Sequence, residues 1–184
     1  MNLHINLDSN HPSFQWLESQ ADKIGAKGHF GTHIDCYTKV PSKNEYNLPT
    51  FIVNCIDQMP TMDLAQNLPS LEGKALILNT GNLYQNEYGS NEYFNERDTS
   101  LNEDTLRIIL SKKPELILID SYGIGNHGNN HIELDKLCEA SDCFVIENIR
   151  LDPNQINKID KIQVIFDLEY PSTGKPCTVT YSGV

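Results

Sequence analysis

The chain has 184 residues, a formal net charge of −11 and 39% hydrophobic residues. This length suits one domain, so we expect residues 1–184 to form a single domain that buries about 70% of the surface exposed by the unfolded chain. The acidity argues against nucleic acid as a partner, because phosphate neutralisation requires clustered lysine and arginine. It argues equally against binding to an anionic membrane surface.

The cysteines and the amino-terminal segment bear on the compartment. The five cysteines form no C-x-x-C pair, and the first residues, "MNLHINLDSNHP", lack the basic and apolar regions of a secretory signal. No apolar run approaches the roughly 18 residues that a transmembrane helix needs. Together these features favour a reducing cytoplasm and free thiols.

The hydrophobic pattern predicts a chain in which apolar strands alternate with helices. Strands are predicted at residues 2–7, 28–38, 50–56, 74–80, 114–120 and 143–149, and in the closing segments "IQVIFDLEY" and "PCTVTYS". Helices are predicted at 102–112, where Ser100 and Glu103 form a capping box, and at 131–140. Residues 12–23 fit either a helix or an irregular arm.

The order of these elements predicts an α/β fold with a mixed sheet. Residues 74–149 form parallel β-α-β units with right-handed crossovers, and antiparallel strands lie at both ends. Because ligands bind at the carboxyl ends of such strands, we expect the loops after Thr80, Asp120 and Glu147 to lie near one another. The tyrosine-rich loop 82–97 is either a functional or mobile element, or a surface excursion whose tyrosines pack down.

The segment "GHFGTHIDCYTKVP" concentrates metal-binding side chains. It contains His29, His33 and Asp35, all ligands that Zn²⁺ or Mn²⁺ accepts. In a fully extended strand the two histidines would lie about 13 Å apart, too far to share one ion. The chain must therefore bend between them, and Gly31 is the residue that bends at least cost. The pattern indicates a metal site on a bent strand.

This segment resembles the H-x-G-T-H-x-D signature of the cyclase-like metal-dependent hydrolases, which include bacterial kynurenine formamidases and isatin hydrolases. It matches every fixed position from His29 to Asp35. The resemblance extends in the right order over residues 28–155, through the further matches Thr80-Gly81, Asp120-Ser121 and Ile146-Glu147-Asn148-Ile149. It implies the swivelling β/β/α fold of that family.

The resemblance also implies the metal ligands. His29, His33, Asp35 and Glu147 would bind one or two divalent ions, Zn²⁺ or Mn²⁺, with Asp35 placed to bridge. The carboxylate at the end of an apolar strand agrees with this, because a buried carboxylate must be paired or bound to metal.

The family's helix histidine is less easily placed. It lies about twelve residues before the glutamate, and that position here is Asp135. His131 lies one helical turn earlier on the same face. The ligand is His131, Asp135 or the loop residue His127, and we favour His131.

A second departure concerns proton transfer. Relatives continue as H-x-D-x-P-x-H, whereas this chain has Tyr37 and Lys39 at the last two fixed positions. Lys39 is either a base of lowered pKa, a cation that polarises a carbonyl or holds an anionic substrate, or a solvated surface residue. We take Lys39 and His127 as the candidate catalytic groups.

The resemblance therefore predicts a hydrolase that cleaves a small amide, formamide or lactam with metal-activated water. It also implies a homo-oligomer, a dimer or tetramer. The alternative is a metal-dependent binding protein, or a vestigial family member that kept its ligands and lost its general base.

Overall fold

Seven strands of the computed structural model close into a barrel, in the order β1-β5-β4-β3-β2-β6-β7. The structure describes residues 1–5, 7, 10, 14–15, 18–19, 27–126 and 128–183. The strands are β1 (His33–Asp35), β2 (Glu45–Asn54), β3 (Ala75–Asn79), β4 (Leu116–Ile119), β5 (Phe144–Glu147), β6 (Lys161–Phe166) and β7 (Gly174–Ser182). The predicted α/β class and mixed sheet are confirmed, and the closure into a barrel is new.

Helices connect the strands on the outer side of the barrel. They are α1 (Met62–Asn67), α2 (Asn82–Gln85), α3 (Asn91–Asn95), α4 (Glu103–Ser111) and α5 (Asn129–Ala140), with 3-10 turns at Lys27–His29 and Ile156–Lys158. Within the segments that the structure describes, every helix falls short of the length and apolar character that a bilayer crossing requires.

Strands β2 to β5 form a run of parallel neighbours, and the remaining pairings are antiparallel. The long strand β2 joins the two parts, since residues 45–49 pair with β6 and residues 50–54 pair with β3. Strands β3, β4 and β5 are apolar at nearly every position because both of their faces are buried. For example, Ile77 lies in the core inside the barrel, and Leu76 lies in the core beneath the helices.

Several predicted elements differ from the observed ones. The strand predicted at 2–7 is reduced, in its described residues, to isolated bridges at Asn2 and His4. The helix predicted from 102 is capped by Asn102, whose side chain accepts from the Asp104 amide, while the Ser100 hydroxyl bonds to Asp98 instead. The segment 12–23 lies mostly outside the described residues.

The tyrosine-rich segment 82–97 is not one long loop. It contains the short helices α2 and α3, and Tyr93 is fully buried. The Tyr88 hydroxyl accepts a hydrogen bond from the Gly31 amide at 2.9 Å. Tyr88 and Tyr93 thus pack against the rest of the protein, which is one of the two predicted alternatives. The contact of Tyr88 is with the metal-binding segment.

Candidate metal centre

The segment before and within β1 gathers the first three predicted ligands. Gly31 has φ 62°, so the chain bends between His29 and His33 as the sequence predicted. His29 Nδ1 lies 3.0 Å from Asp35 Oδ1, and His33 Nε2 lies 3.5 Å from the same oxygen. The two imidazole nitrogens are 3.2 Å apart. Three donor atoms from seven consecutive residues therefore converge on one point.

The pairing of β1 with β5 supplies the fourth predicted ligand. These strands are antiparallel, and His33 is directly opposite Glu147 in their register. The facing atoms, His33 Nε2 and Glu147 Oε2, lie 3.4 Å apart. A carboxylate 112 positions further along the chain from Asp35 is thus brought to the same cluster by strand pairing.

Helix α5 contributes two of the three residues that the sequence offered as alternatives. His131 and Asp135 lie one turn apart on the same face, and His131 Nε2 is 3.2 Å from Asp135 Oδ2. The same nitrogen lies 3.3 Å from Glu147 Oε1 and 3.7 Å from Asp35 Oδ2. The helix thus presents both residues to the cluster, and the preference for His131 as the ligand stays a prediction.

These side chains form two groups of potential metal donors that share Asp35. The first donor group is His29, His33 and Asp35. The second donor group is Asp35, His131, Asp135 and Glu147. Within each group one donor atom per residue lies within 4.8 Å of all the others. The sharing of one carboxylate is the arrangement in which Asp35 could bridge two ions.

Most carboxylate oxygens of the second donor group accept no hydrogen bond from the described residues. Asp35, Asp135 and Glu147 are each at most 4% exposed. Among the described residues no hydrogen bond reaches either oxygen of Asp35, either oxygen of Asp135 or Oε1 of Glu147. Burying a carboxylate is costly unless it is paired, hydrogen-bonded or bound to a metal. The donor set, with carboxylate oxygens that accept no hydrogen bond from the described residues, therefore fits divalent cations.

The electrostatics of the cluster reflect this crowding. Burial raises the pKa of Glu147 well above its usual range, and the negative charges of Asp35 and Asp135 add to the effect. Burial, followed by the charge of Asp35, raises the pKa of Asp135 likewise. Burial also acts to raise the pKa of Asp35, but the charge of His33 and the nearness of the imidazoles outweigh it and hold that pKa well below its usual range. The three buried carboxyl groups therefore compete for the positive charge of the neighbouring imidazoles.

The orientation of the His33 ring is fixed by a hydrogen bond of its Nδ1, the nitrogen that does not face the cluster. Its Nδ1 lies 2.9 Å from the Gly31 carbonyl, so a proton there donates to that oxygen and leaves the Nε2 lone pair facing the cluster. Asn148 Nδ2 donates to the same carbonyl at 3.0 Å. The Tyr93 hydroxyl in turn donates to Asn148 Oδ1. This chain of contacts holds the peptide that orients a predicted ligand.

Two glycines allow the imidazoles to approach the barrel. A Cβ on Gly123 would lie 2.3 Å from His131 Cε1 and 2.4 Å from Glu147 Oε1. A Cβ on Gly174 would lie 2.7 Å from the His29 ring. Any larger residue at either position would displace a donor, so the backbone is shaped around the cluster.

The carboxyl ends of the parallel strands meet beside this site, as predicted. Asp120, at the end of β4, accepts hydrogen bonds from the Thr80 amide at 2.6 Å, the Thr80 hydroxyl at 2.7 Å and the Gly81 amide at 2.8 Å. The Asn148 amide, just after β5, donates to the Ser121 carbonyl at 3.0 Å. The matched residues Asp120 and Thr80 thus bind each other rather than a ligand.

A buried glutamate that the sequence did not single out holds the segment after β1. Glu139 lies two turns beyond His131 and one beyond Asp135 on α5, and it is 1% exposed. Its carboxylate accepts from the amides of residues 37, 38 and 39 and from the Thr38 hydroxyl. The spacing of four residues along one helix face was the available signal.

Of the two candidate catalytic groups, the structure describes Lys39 and not His127. The Lys39 side chain is 46% exposed and its ammonium pairs with Asp142. Asp142 precedes β5, so this ion pair lies at the opposite end of that strand from Glu147. His127 lies outside the residues that the structure describes. Neither candidate role is tested by these positions.

Comparison with known proteins gives agreement in structure and none in sequence. No family model matches the chain, and no curated protein matches it either. A solved structure described as a potential metal-dependent hydrolase with cyclase activity matches with a TM-score of 0.61 at 19% identity, over 83% of this chain and 77% of that chain. A predicted metal-dependent hydrolase from Bacillus stearothermophilus gives 0.60 at 19%, over 83% and 76%.

An isatin hydrolase bound to the product analogue thioisatinate also matches, with a TM-score of 0.60 at 16% identity, over 84% of this chain and 73% of that chain. At these identities the likeness establishes the fold. The sequence signature from His29 to Asp35 and the structural neighbours point independently to one group of proteins. The chain therefore has the fold of the cyclase-like metal-dependent hydrolases.

Proposed function

We propose that this protein is a metal-dependent hydrolase that cleaves the C–N bond of a small amide, formamide or lactam. The observation that carries the proposal is the set of buried carboxylate oxygens that face three imidazoles and accept no hydrogen bond from the part of the chain that the structure describes. An enzyme that needs no cation would have no reason to keep such a costly arrangement. The structural neighbours include an isatin hydrolase, which supports the choice of a cyclic amide among the substrates.

His29, His33, Asp35, His131 and Glu147 are the proposed ligands of one or two divalent ions, Zn²⁺ or Mn²⁺. Such ions, when bound, lower the pKa of a coordinated water toward about 7 and polarise a carbonyl. The protein's own part is to keep each donor in place. Gly31 orients His33 through its carbonyl, and Asp35 is placed where both donor groups meet.

The exposed side of the cluster indicates where a substrate would approach. The side chains of His29 and His131 are 21% and 15% exposed, whereas His33 is 1% exposed and Asp35 is fully buried. A substrate carbonyl would therefore enter between His29 and His131, above the shared carboxylate.

The proposal does not depend on Lys39 or His127. Their roles in proton transfer stay sequence predictions, and the pairing of Lys39 with Asp142 gives the lysine a structural task of its own. The same observation favours a second candidate function, a metal-dependent binding protein that lacks the usual base. Turnover separates the two, because a binding protein would hold the metal and leave the substrate intact.

Elemental analysis and a substrate screen test the proposal together. Protein purified at neutral pH should contain a divalent metal, and His33→Ala should lose it. A screen of N-formyl aromatic amines and small cyclic amides, isatin among them, should then give hydrolysis that a chelator abolishes. Glu133→Gln is a matched control because Glu133 lies on α5 and is exposed. Metal-free wild-type protein would overturn both candidate functions, and metal without turnover would select the binding protein.

Some properties of the whole molecule belong to the same proposal. We propose that residues 1–184 form one domain with the swivelling β/β/α architecture, which assembles as a dimer or tetramer and works in the cytoplasm. The five cysteines are free and buried, which agrees with a reducing compartment. Light scattering of the purified protein would measure the oligomeric state.

A further inference from the structure

The two donor groups differ in chemistry. The first donor group offers two imidazole nitrogens and one carboxylate, and the second offers one imidazole nitrogen and three carboxylates. Imidazole suits zinc, whereas carboxylate oxygens suit harder ions such as Mn²⁺ and Mg²⁺. We propose that Asp135 is a direct metal ligand and that it makes the second donor group selective for a harder ion than the first. This inference rests on the proposed metal-dependent function and refines it.

The geometry around His131 supports a cation at the second donor group. Its Nε2 faces Asp135 Oδ2 at 3.2 Å and Glu147 Oε1 at 3.3 Å, with Asp35 Oδ2 at 3.7 Å. A protonated imidazole carries a single proton on that nitrogen, so it can satisfy one of these oxygens and not three. A metal ion at the point where the four atoms converge would satisfy all of them.

Among the described residues, the ion pair of Asp135 is with the His131 imidazole of its own donor group. Asp135 is 1% exposed, and neither of its oxygens accepts a hydrogen bond from the residues described. Glu139, one turn further along α5, is equally buried but accepts four hydrogen bonds. The two acidic residues on one helix face thus have opposite environments, and only that of Glu139 is already complete.

The two donor groups indicate two ions rather than one. Asp35, Asp135 and Glu147 carry three negative charges when ionised, so one divalent ion leaves a net charge of about −1 in a buried site and two leave about +1. The charge of the cluster is therefore compatible with a second divalent ion. Since Zn²⁺ binds nitrogen and oxygen sites more tightly than Mn²⁺ in general, the expected difference is in the ratio of the two affinities. That ratio should favour Zn²⁺ more strongly at the first donor group.

The experiment loads the metal-free protein in order. One equivalent of Zn²⁺ is added first, and Mn²⁺ is then titrated and followed by loss of the electron paramagnetic resonance signal of the free ion. The wild type should bind one Mn²⁺ beside the Zn²⁺. Asp135→Asn should weaken this Mn²⁺ by more than about 100-fold, beyond the roughly 10–100-fold that loss of an outer-shell partner costs, and leave the first Zn²⁺ in place.

Two further variants sharpen the test. Asp135→His puts the residue that the family places at this position into the second donor group, and it should lower the affinity for Mn²⁺ while tightening a second Zn²⁺. Glu133→Gln removes a charge from the same helix at an exposed position and should change neither ion. A circular dichroism spectrum like that of the wild type shows that each variant is folded.

The outcomes distinguish this inference from the function on which it rests. If the wild type binds no divalent ion, the proposed function fails and this inference fails with it. If it binds one ion only, or if Asp135→Asn binds Mn²⁺ as tightly as the wild type, the role of Asp135 is overturned and the proposed hydrolase survives. If Asp135→His leaves the ratio of Mn²⁺ to Zn²⁺ affinity unchanged, the selectivity is overturned.

Discussion

This protein contains two sets of buried carboxylates, and their surroundings differ. Asp120 and Glu139 are at most 1% exposed, and each is surrounded by hydrogen-bond donors from the backbone and from a threonine hydroxyl. Asp35, Asp135 and Glu147 are buried to a similar degree, but most of their oxygens accept no hydrogen bond from the described residues. The two sets of carboxylates are buried to a similar degree, but they differ in the number of hydrogen-bond donors around them.

This difference separates structural carboxylates from ligands. A carboxylate that accepts three or four hydrogen bonds is already compensated for its loss of water, so a metal would have to displace those donors. A carboxylate without donors is compensated only when a cation arrives. Removal of a residue from the first set should therefore cost stability, whereas removal of a residue from the second should cost metal.

The largest effect is expected for Asp35→Asn, because Asp35 belongs to both donor groups. The change replaces a shared carboxylate by a neutral amide, so both ions lose a ligand. We expect the affinity for divalent metal to fall more than about 100-fold, the upper end for loss of an outer-shell partner. Isothermal titration of the metal-free protein measures it. An unchanged affinity would remove Asp35 from the ligand set.

The next effect is expected for Glu139→Ala, in stability rather than in metal content. The change leaves three backbone amides and the Thr38 hydroxyl without their acceptor. We expect a loss of about 3 kcal/mol in the free energy of unfolding, the upper range for hydrogen bonds to a charged group. Urea unfolding measures it, with the exposed Glu133→Ala on the same helix as control. A loss of metal at unchanged stability would reverse the assignment.

A smaller effect on stability is expected for Glu147→Gln. Its sign should differ between the metal-free and the metal-bound protein. In the metal-free protein the change removes one of three buried acidic groups, so the free energy of unfolding should stay constant or rise by about 1 kcal/mol. With metal bound the variant should be the less stable one, since it binds the ion more weakly. Thermal unfolding with and without chelator measures both. Equal destabilisation in the two states would identify Glu147 as a structural residue.

The smallest effect is expected for Lys39→Ala. Its ammonium pairs with Asp142 at an exposed position, and such pairs contribute about 0–1 kcal/mol. We expect metal content to be unchanged and stability to fall by less than about 1 kcal/mol. Hydrolysis by this variant, measured on whichever substrate the screen identifies, decides the catalytic role predicted from the sequence. A large loss of turnover with intact metal binding would restore Lys39 as a catalytic group.

The sequence predicted the local half of the site and the succession of apolar strands and helices along the chain. His29, His33 and Asp35 lie within one short segment, so their convergence depended only on a bend, and Gly31 was the evident place for it. The apolar runs behind β3, β4 and β5 were also plain, because strands buried on both faces leave a continuous pattern.

The distant half was only partly predictable. Whether α5 presents His131 or Asp135 depends on where the helix begins, and a shift of one turn exchanges the two residues. In the structure both residues face the cluster, and residue spacing alone does not predict this arrangement. Glu139 was missed because its partners are backbone amides, which leave no trace in the sequence. Barrel closure, too, depends on the pairing of β1 with β7, a long-range contact.

Metal content tests the central claim most directly. Protein purified at neutral pH without added metal should contain at least one equivalent of Zn²⁺ or Mn²⁺ per chain by elemental analysis, and Asp35→Asn should contain almost none. The same samples should differ little in circular dichroism, since the fold does not depend on this carboxylate. Wild-type protein free of metal, and unable to bind it on titration, would contradict the account.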